Sequence, residues 1–419
     1  MRCRTLILVL LLATGGAALA AEPRPSPAEL RIAQVQQAIA ADPDNAESYA
    51  ELAIALARRA RETADPTWYD RAQRAAEESL ERAPGNLAGE RARIWVLLGK
   101  HEFADARNRA EALNRRVPDD LLTYAFLVDA YAELGEYAKA EEAAQWLLDL
   151  RPGNVPGLTR AAFLRELFGD VEGSLQLLSA AYGRIAPTEL EDRAWVLTQM
   201  AHLELSRGRP ADAQTLLVHA LELFPDYHYA LANMALAHAA QGRLREAVDL
   251  MRKRYGLAPH PENLYALGVL LHRAGERSEA ETAFAEFENK ARAEMEKWDN
   301  ANRELVFYYC DYAARPDQAL QVARLELARR RDVFTLDAYA WALHANERFA
   351  EARRQLEQAL AVGIRDASML YRAGAIAAAQ YDAASAEKYF RLSLETDRTS
   401  PHASAARRAL NQLSADGSR

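Results

Sequence analysis

Cysteine is almost missing from this chain: among 419 residues there are two, Cys3 and Cys310. That excludes a disulfide-stapled scaffold and any cysteine-rich zinc finger. Glycine and proline are sparse, at 19 and 16 residues, so few helix breakers interrupt the sequence. Aromatic residues make up only 8%, so wherever they concentrate, the concentration carries information. Positive charge is in deficit, with a net charge of −8, and no dense Lys/Arg cluster is present, which argues against binding nucleic-acid phosphates. Beyond the first 20 residues no apolar run is long enough to span a bilayer, so no membrane span is expected in the mature chain.

Chemical motifs are missing too. There is no GxSxG, no HExxH and no glycine-rich phosphate loop. His219, His228 and His238 are nine and ten residues apart, without the i, i+4 pairing that marks a zinc site. No catalytic residue, metal ligand or cofactor is assigned, and the chain is read as a non-enzyme. Arg329-Arg330-Arg331 is read as capping the end of a helix, and Cys310 as an inward-facing inert thiol.

What is present begins with an export signal. Met1-Arg2-Cys3-Arg4 is a basic start, Leu6–Leu12 is a short apolar run, and Ala18-Leu19-Ala20 has the small-x-small form of a cleavage site. Residues 1–20 are therefore expected to be a signal peptide cleaved after Ala20. Cleavage removes Arg2 and Arg4, taking the charge from −8 to −10, and leaves Cys310 as the single cysteine. Residues 21–27 read as a flexible leader and 414–419 as a disordered tail. The alanine-rich, arginine-rich composition suits a bacterial source, hence a periplasmic or secreted location.

The body of the chain repeats. A small residue recurs at Ala72, Ala106, Ala140, Ser174, Ala213, Ala247, Ala280, Ala319, Ala352 and Ala386, in steps of 33, 34 or 39 residues. Glycine stands five positions before it at Gly135, Gly169, Gly208, Gly242 and Gly275, and proline twelve after it at Pro84, Pro118, Pro152, Pro225 and Pro259. In the unit that contains 129–154, DAYAELGEYAKAEEAAQWLLDLRPGN, one helical stripe runs through Tyr124, Leu127 and Tyr131. Gly135 ends it, Ala144, Leu147 and Leu150 form a second stripe, and Pro152-Gly153-Asn154 turns the chain. One such hairpin cannot bury its own apolar face, whereas stacked copies can.

A period of 34 with these landmarks resembles the tetratricopeptide repeat family over roughly residues 28–413. The resemblance implies an all-α fold: a right-handed α-solenoid of about ten helix hairpins closed by terminal cap helices. Extra residues are expected in three places. One is an insertion around Ala64–Trp68 separating the two helices of the first unit. Another is a longer turn around Ile185–Asp192, and the third a lengthened second helix after Phe284. The last two divide the array into blocks 28–188, 189–297 and 298–413.

In the family, first helices line a concave face where ligands lie. The residues expected on that face are Trp95, Asp129, Phe163, Trp195, His202, Tyr229, Tyr265, His272, Tyr308, Tyr312, Phe334, Trp341, His344 and Tyr371. Aromatic anchors among polar neighbours suit an extended protein or peptide segment. The expected function is therefore an exported scaffold holding a partner protein or peptide in an envelope assembly, secretion or maturation system. The alternatives are a hydrolase or metal-dependent site hidden among the repeats, and a self-associating homo-oligomer.

Two measurements check this reading. Sequencing the protein recovered from the envelope fraction should give Ala21 as the first residue, and an intact Met1 would refute export by cleavage. Replacing Ala140 by Leu should overfill a helix crossing and cost about 1–3 kcal/mol in a urea titration; an unchanged midpoint would refute the register.

Overall fold

The computed structural model describes residues 25–416. Among these, every regular element is a helix. Twenty of the helices pair into ten hairpins, spanning 46–82, 87–116, 121–150, 155–182, 190–223, 228–257, 261–294, 302–329, 333–360 and 367–396. Pro27–Ala41 precedes them and Ala403–Asp416 follows, so the array is a capped α-solenoid. The expected signal peptide lies outside the described residues. The end of the expected leader is part of the fold: Ser26 caps Pro27–Ala41 in a capping box with Glu29 and also bonds Glu62. At the other end the helix runs through Asp416, into the expected tail.

The recurring small residue is why hairpins form and stack. Nine of the ten positions are alanine and all ten are buried, from 0% to 2% exposed. A methyl or hydroxymethyl group here lets two helix backbones approach closely, and longer neighbours such as Leu113, Leu147 and Leu356 fill the space beside the crossing. The turn chemistry between hairpins is just as regular. In Pro84-Gly85-Asn86, Pro118-Asp119-Asp120 and Pro152-Gly153-Asn154 the middle residue adopts positive φ, at 77°, 64° and 75°. The third side chain then accepts the first free backbone N–H groups of the next helix.

The added residues extend helices more than turns. The first helix of hairpin 1, Ala46–Thr63, has 18 residues where those of hairpins 2 to 4 have 13, and the turn after it is only 64–66. The expected insertion between these helices is thus mostly extra helix. In hairpin 5 the expected long turn ends at 189, and the first helix, Leu190–Ser206, takes up the rest as a 17-residue element. The third extension, Arg277–Glu294, is a long second helix as expected. The largest apolar cluster takes residues from Ile94 to Ile376 and so passes through all three sequence blocks.

The solenoid winds so tightly that one superhelical turn rests on the next. The turn inside each of hairpins 1 to 5 meets the link that follows the hairpin five places further on. His260 donates to the Ala64 carbonyl. His101 Nδ1 lies 3.4 Å from Asp299. The Val333 N–H donates to the Tyr137 hydroxyl at 2.8 Å, while Arg330 reaches Glu133 at 3.2 Å. Phe168 and Gly169 lie against Gly363, and Gly208 against Asp397. Arg330 is therefore a cross-turn tie. Arg329 donates to the Met295 and Lys297 carbonyls, so the arginine run closes other segments' carbonyls rather than those of its own helix.

This seam gives Gly169 a second reason to be glycine. Its φ of +81° disfavours any side chain, and a Cβ would strike the Gly363 carbonyl. Gly242 has a similar φ of +78° with nothing within 4 Å. Gly242→Ala should therefore cost about 1 kcal/mol, from backbone strain alone. Gly169→Ala should cost clearly more and loosen amide exchange around residue 363. Equal losses in paired denaturant titrations would refute the seam.

Candidate functional site

The lengthened helix of hairpin 1, the first helices of hairpins 2 to 5, the second helix of hairpin 4 and Ile185 of the link after it line a cavity of about 660 Å³. That size lies within the range of ligand pockets. Its walls are mainly apolar: Trp95, Phe126, Phe163 and Trp195 supply rings, and Leu98, Leu122, Leu178 and Val196 fill between them. Four arginines, Arg58, Arg61, Arg91 and Arg160, also reach the lining, with Asp129, Glu166 and Asp192 as counter-charges.

These charges are organised. Arg160 donates to Asp129 at 2.5 Å and to the Ala125 carbonyl at 2.9 Å. Burial pushes the Asp129 carboxyl above its ordinary range, with Arg160 opposing the shift. Arg91 pairs with Asp120, which also caps its helix by accepting from Thr123. Glu166 lies 2.9 Å from His202 Nε2. Burial lowers the pKa of His202, yet the Glu166 hydrogen bond and charge outweigh it and leave the ring above its usual value.

At one edge of the cavity the two lengthened first helices meet. Arg58 donates to Glu189 at 3.2 Å and lies 3.6 Å from Asp192, while Arg61 pairs with Glu191 and, at 2.7 Å, with Asp192. Glu191 is buried and also accepts from the Tyr227 hydroxyl at 2.6 Å. Burial, then the charge of Glu191, raises the Tyr227 pKa, so the phenol keeps its proton and donates. His228 donates to the Arg61 carbonyl at 2.9 Å, and burial holds its pKa down at about 4. The ring is neutral at pH 7. His228 and His260 thus serve the seam between turns.

Of the residues expected on the concave face, the structure brings Trp95, Asp129, Phe163 and Trp195 together in this cavity, with His202 behind its Glu166 wall. The others lie elsewhere. Tyr229 packs beside Tyr227 and His228, with ring centres 5.5 and 3.9 Å away. Tyr265, His272 and Tyr312 form a second aromatic group with Phe284: Tyr312 is 6.4 Å from Tyr265, 5.3 Å from His272 and 4.6 Å from Phe284. Tyr308 is buried between Phe284 and Phe287 and belongs to the core. Trp341 stacks on His344 and donates to Asp311 at 2.8 Å. Phe334 is exposed under Arg303, and Tyr371 stacks on His402 at 4.6 Å. Cys310 is partly buried, and burial pushes its thiol up to about 12.

Sequence reasoning missed the arginines. Arg91 and Arg160 stand one helical turn before Trp95 and Phe163, a spacing that places each pair on one face. That signal was legible. Arg58 and Arg61 were not, because their partners lie 131 and 130 residues away.

Comparison with known proteins agrees with this architecture. The pattern of the tetratricopeptide repeat family matches residues 91–155, 198–261 and 336–401. Cellulose synthase operon protein C of Xanthomonas axonopodis pv. citri (strain 306) is 28% identical over 259 residues, or 59% of this chain but 17% of that protein. The chain therefore spans less than a fifth of the length of this curated relative. Among solved structures, a human IFIT1 dimer with PPP-AAAA superposes with a TM-score of 0.50 at 13% identity, covering 87% of this chain and 86% of that one. The Cut9–Hcn1 hetero-tetramer of the APC/C gives 0.46 at 12% identity, covering 87% and 55%. With the repeat register, the ten hairpins and the family pattern in agreement, the chain belongs to the tetratricopeptide repeat family.

Proposed function

We propose that the protein is an exported, non-enzymatic scaffold that holds a segment of a partner protein on its concave face, with the cavity in hairpins 1 to 5 as the principal anchor point. The observation that carries this reading is the convergence of Trp95, Phe126, Phe163 and Trp195 around one cavity of about 660 Å³. Large rings with adjacent arginines are the composition that dominates binding energy at protein interfaces. The carboxylates there are engaged as well: Asp129 by Arg160, Glu166 by His202, and Asp192 by Arg58 and Arg61. This pairing suits a shaped, pre-organised wall. The name of the Xanthomonas relative suits an envelope machine that makes polysaccharide as the setting, with the partner one of its protein components. The signal peptide expected at residues 1–20 would deliver the chain to such a compartment.

The test uses a partner retained from envelope extract by the mature chain, followed by measurement of its affinity for variants. Trp95→Ala and Trp195→Ala should each weaken binding by about 2 kcal/mol or more. Trp341→Ala, in the C-terminal half, should weaken it less. Melting temperatures should change less than affinity, because each tryptophan is only partly buried against its core cluster and also lines the cavity. Intact affinity in both Trp95→Ala and Trp195→Ala would overturn the cavity as the anchor point.

A further inference from the structure

An α-helix leaves its last carbonyls without intrahelical donors. At the end of Ala46–Thr63, the first helix of hairpin 1, two of these carbonyls are closed from the other superhelical turn. His228 Nε2 donates to the Arg61 carbonyl at 2.9 Å and His260 Nε2 to that of Ala64, from 167 and 196 residues further along the chain. His228 is the first residue of hairpin 6, and His260 stands just before the first helix of hairpin 7. The His228 side chain is buried, and its second ring nitrogen, Nδ1, has no hydrogen-bond partner among the described residues. Its ring centre lies 3.9 Å from that of Tyr229 and 5.9 Å from that of Tyr227. Donating through Nε2 and bare at Nδ1, the ring fits this place only as one neutral tautomer.

We propose that His228 is an acid-released latch: neutral, it holds the end of hairpin 1's first helix against hairpin 6, and protonated, it lets that end go. The second proton would sit on Nδ1, as a buried N–H without an acceptor carrying a charge without a counter-ion. The groups around the contact cannot supply one. Arg61 and Tyr69 come from hairpin 1, Tyr227, Tyr229 and Arg254 from hairpin 6, and His260 from the link after it; none is a carboxylate. The carboxylates nearby are engaged. Glu191 and Asp192 belong to the clasp that Arg58 and Arg61 form between hairpins 1 and 5, and Glu191 also accepts from Tyr227. Glu262 faces Arg254 at 3.9 Å and Asp299 faces His101 at 3.4 Å. Burial is the dominant influence on the ring; the Arg61 carbonyl opposes it, Arg254 and His260 add to it, and the pKa is held down at about 4, against an ordinary value of 6.5. A ring released into water returns to that ordinary value. The closed contact is therefore fully favoured above pH 6.5 and loses its advantage as pH falls from 6.5 towards 4. Release at pH 5 is favoured about thirtyfold more than at pH 8. The helix so held also lines the cavity, through Ile54, Arg58 and Arg61, so release loosens that wall.

The experiment is amide hydrogen exchange of the full mature chain, read by mass spectrometry and corrected for the intrinsic rate at each pH. Protection over residues 58–66 should fall about thirtyfold between pH 8 and pH 5, and over residues 121–133, away from the latch, much less. His228→Gln keeps an N–H that can reach the Arg61 carbonyl but does not titrate, so its protection over 58–66 should be the same at both pH values. His228→Ala loses the donor and should be poorly protected at both. Long-range proton–nitrogen NMR spectra of the wild type give a second reading that needs no variant: the ring proton should sit on Nε2, and the ring should titrate well below 6.5. Unchanged protection in the wild type at pH 5, an equal acid loss in His228→Gln, or a His228 ring that titrates near 6.5 would each overturn the latch.

Discussion

The structure depends on a steric limit: at ten positions along the chain, two helices cross with room for little more than a methyl group. Nine of those positions hold alanine and one holds serine, and none is more than 2% exposed. The close crossing fixes the angle within each hairpin, and the repeated angle fixes the curvature of the stack. Curvature then decides everything at longer range. It places the turn of each early hairpin on the link five hairpins further along, and it folds the first helices of hairpins 2 to 5 around a common hollow. Had the crossings been wider, the same helices would have made a more open coil without a seam.

The three helix extensions show how local additions acquire long-range roles. Two of them lengthen first helices, and these two meet each other. Arg58 and Arg61 come from the first, Glu189, Glu191 and Asp192 from the second and its approach. Neither addition has an obvious purpose alone. Together they close one side of the cavity and bring ion pairs into contact with it. Partial burial makes this contact consequential: the Glu191 carboxylate would be costly to leave unpaired, and Arg61 and Tyr227 both serve it.

Much of the fold was legible in the sequence because the constraint that builds it is local. A small residue every 33 to 39 positions, with glycine and proline at fixed offsets, gave the number of hairpins. The site was less legible. Trp95, Asp129, Phe163 and Trp195 could be placed on one face because their repeats are neighbours and share a register. Tyr308 occupies the same register position as Trp95, yet it turns into the core, because Phe284 and Phe287 of the preceding hairpin supply a pocket of rings for it. The clasp was beyond reach, since no periodic rule links Arg61 to Glu191 across 130 residues. Helix extension was mistaken for loop at Ala64 because Pro66 marks a stop without showing how far the preceding helix runs.

The seam also changes what kind of object the solenoid is mechanically. An array whose members touch only their neighbours behaves like an open spring, extending smoothly under load. Here the coils are already in contact, through pairs such as Tyr137 with Val333 and His260 with Ala64, each 196 residues apart in sequence. A closed-coil spring resists compression at once, and it does not lengthen until tension exceeds the force holding its coils together. Anchored between components of a larger assembly, the protein would act as a spacer of fixed length up to a threshold load, and above it as a compliant tether.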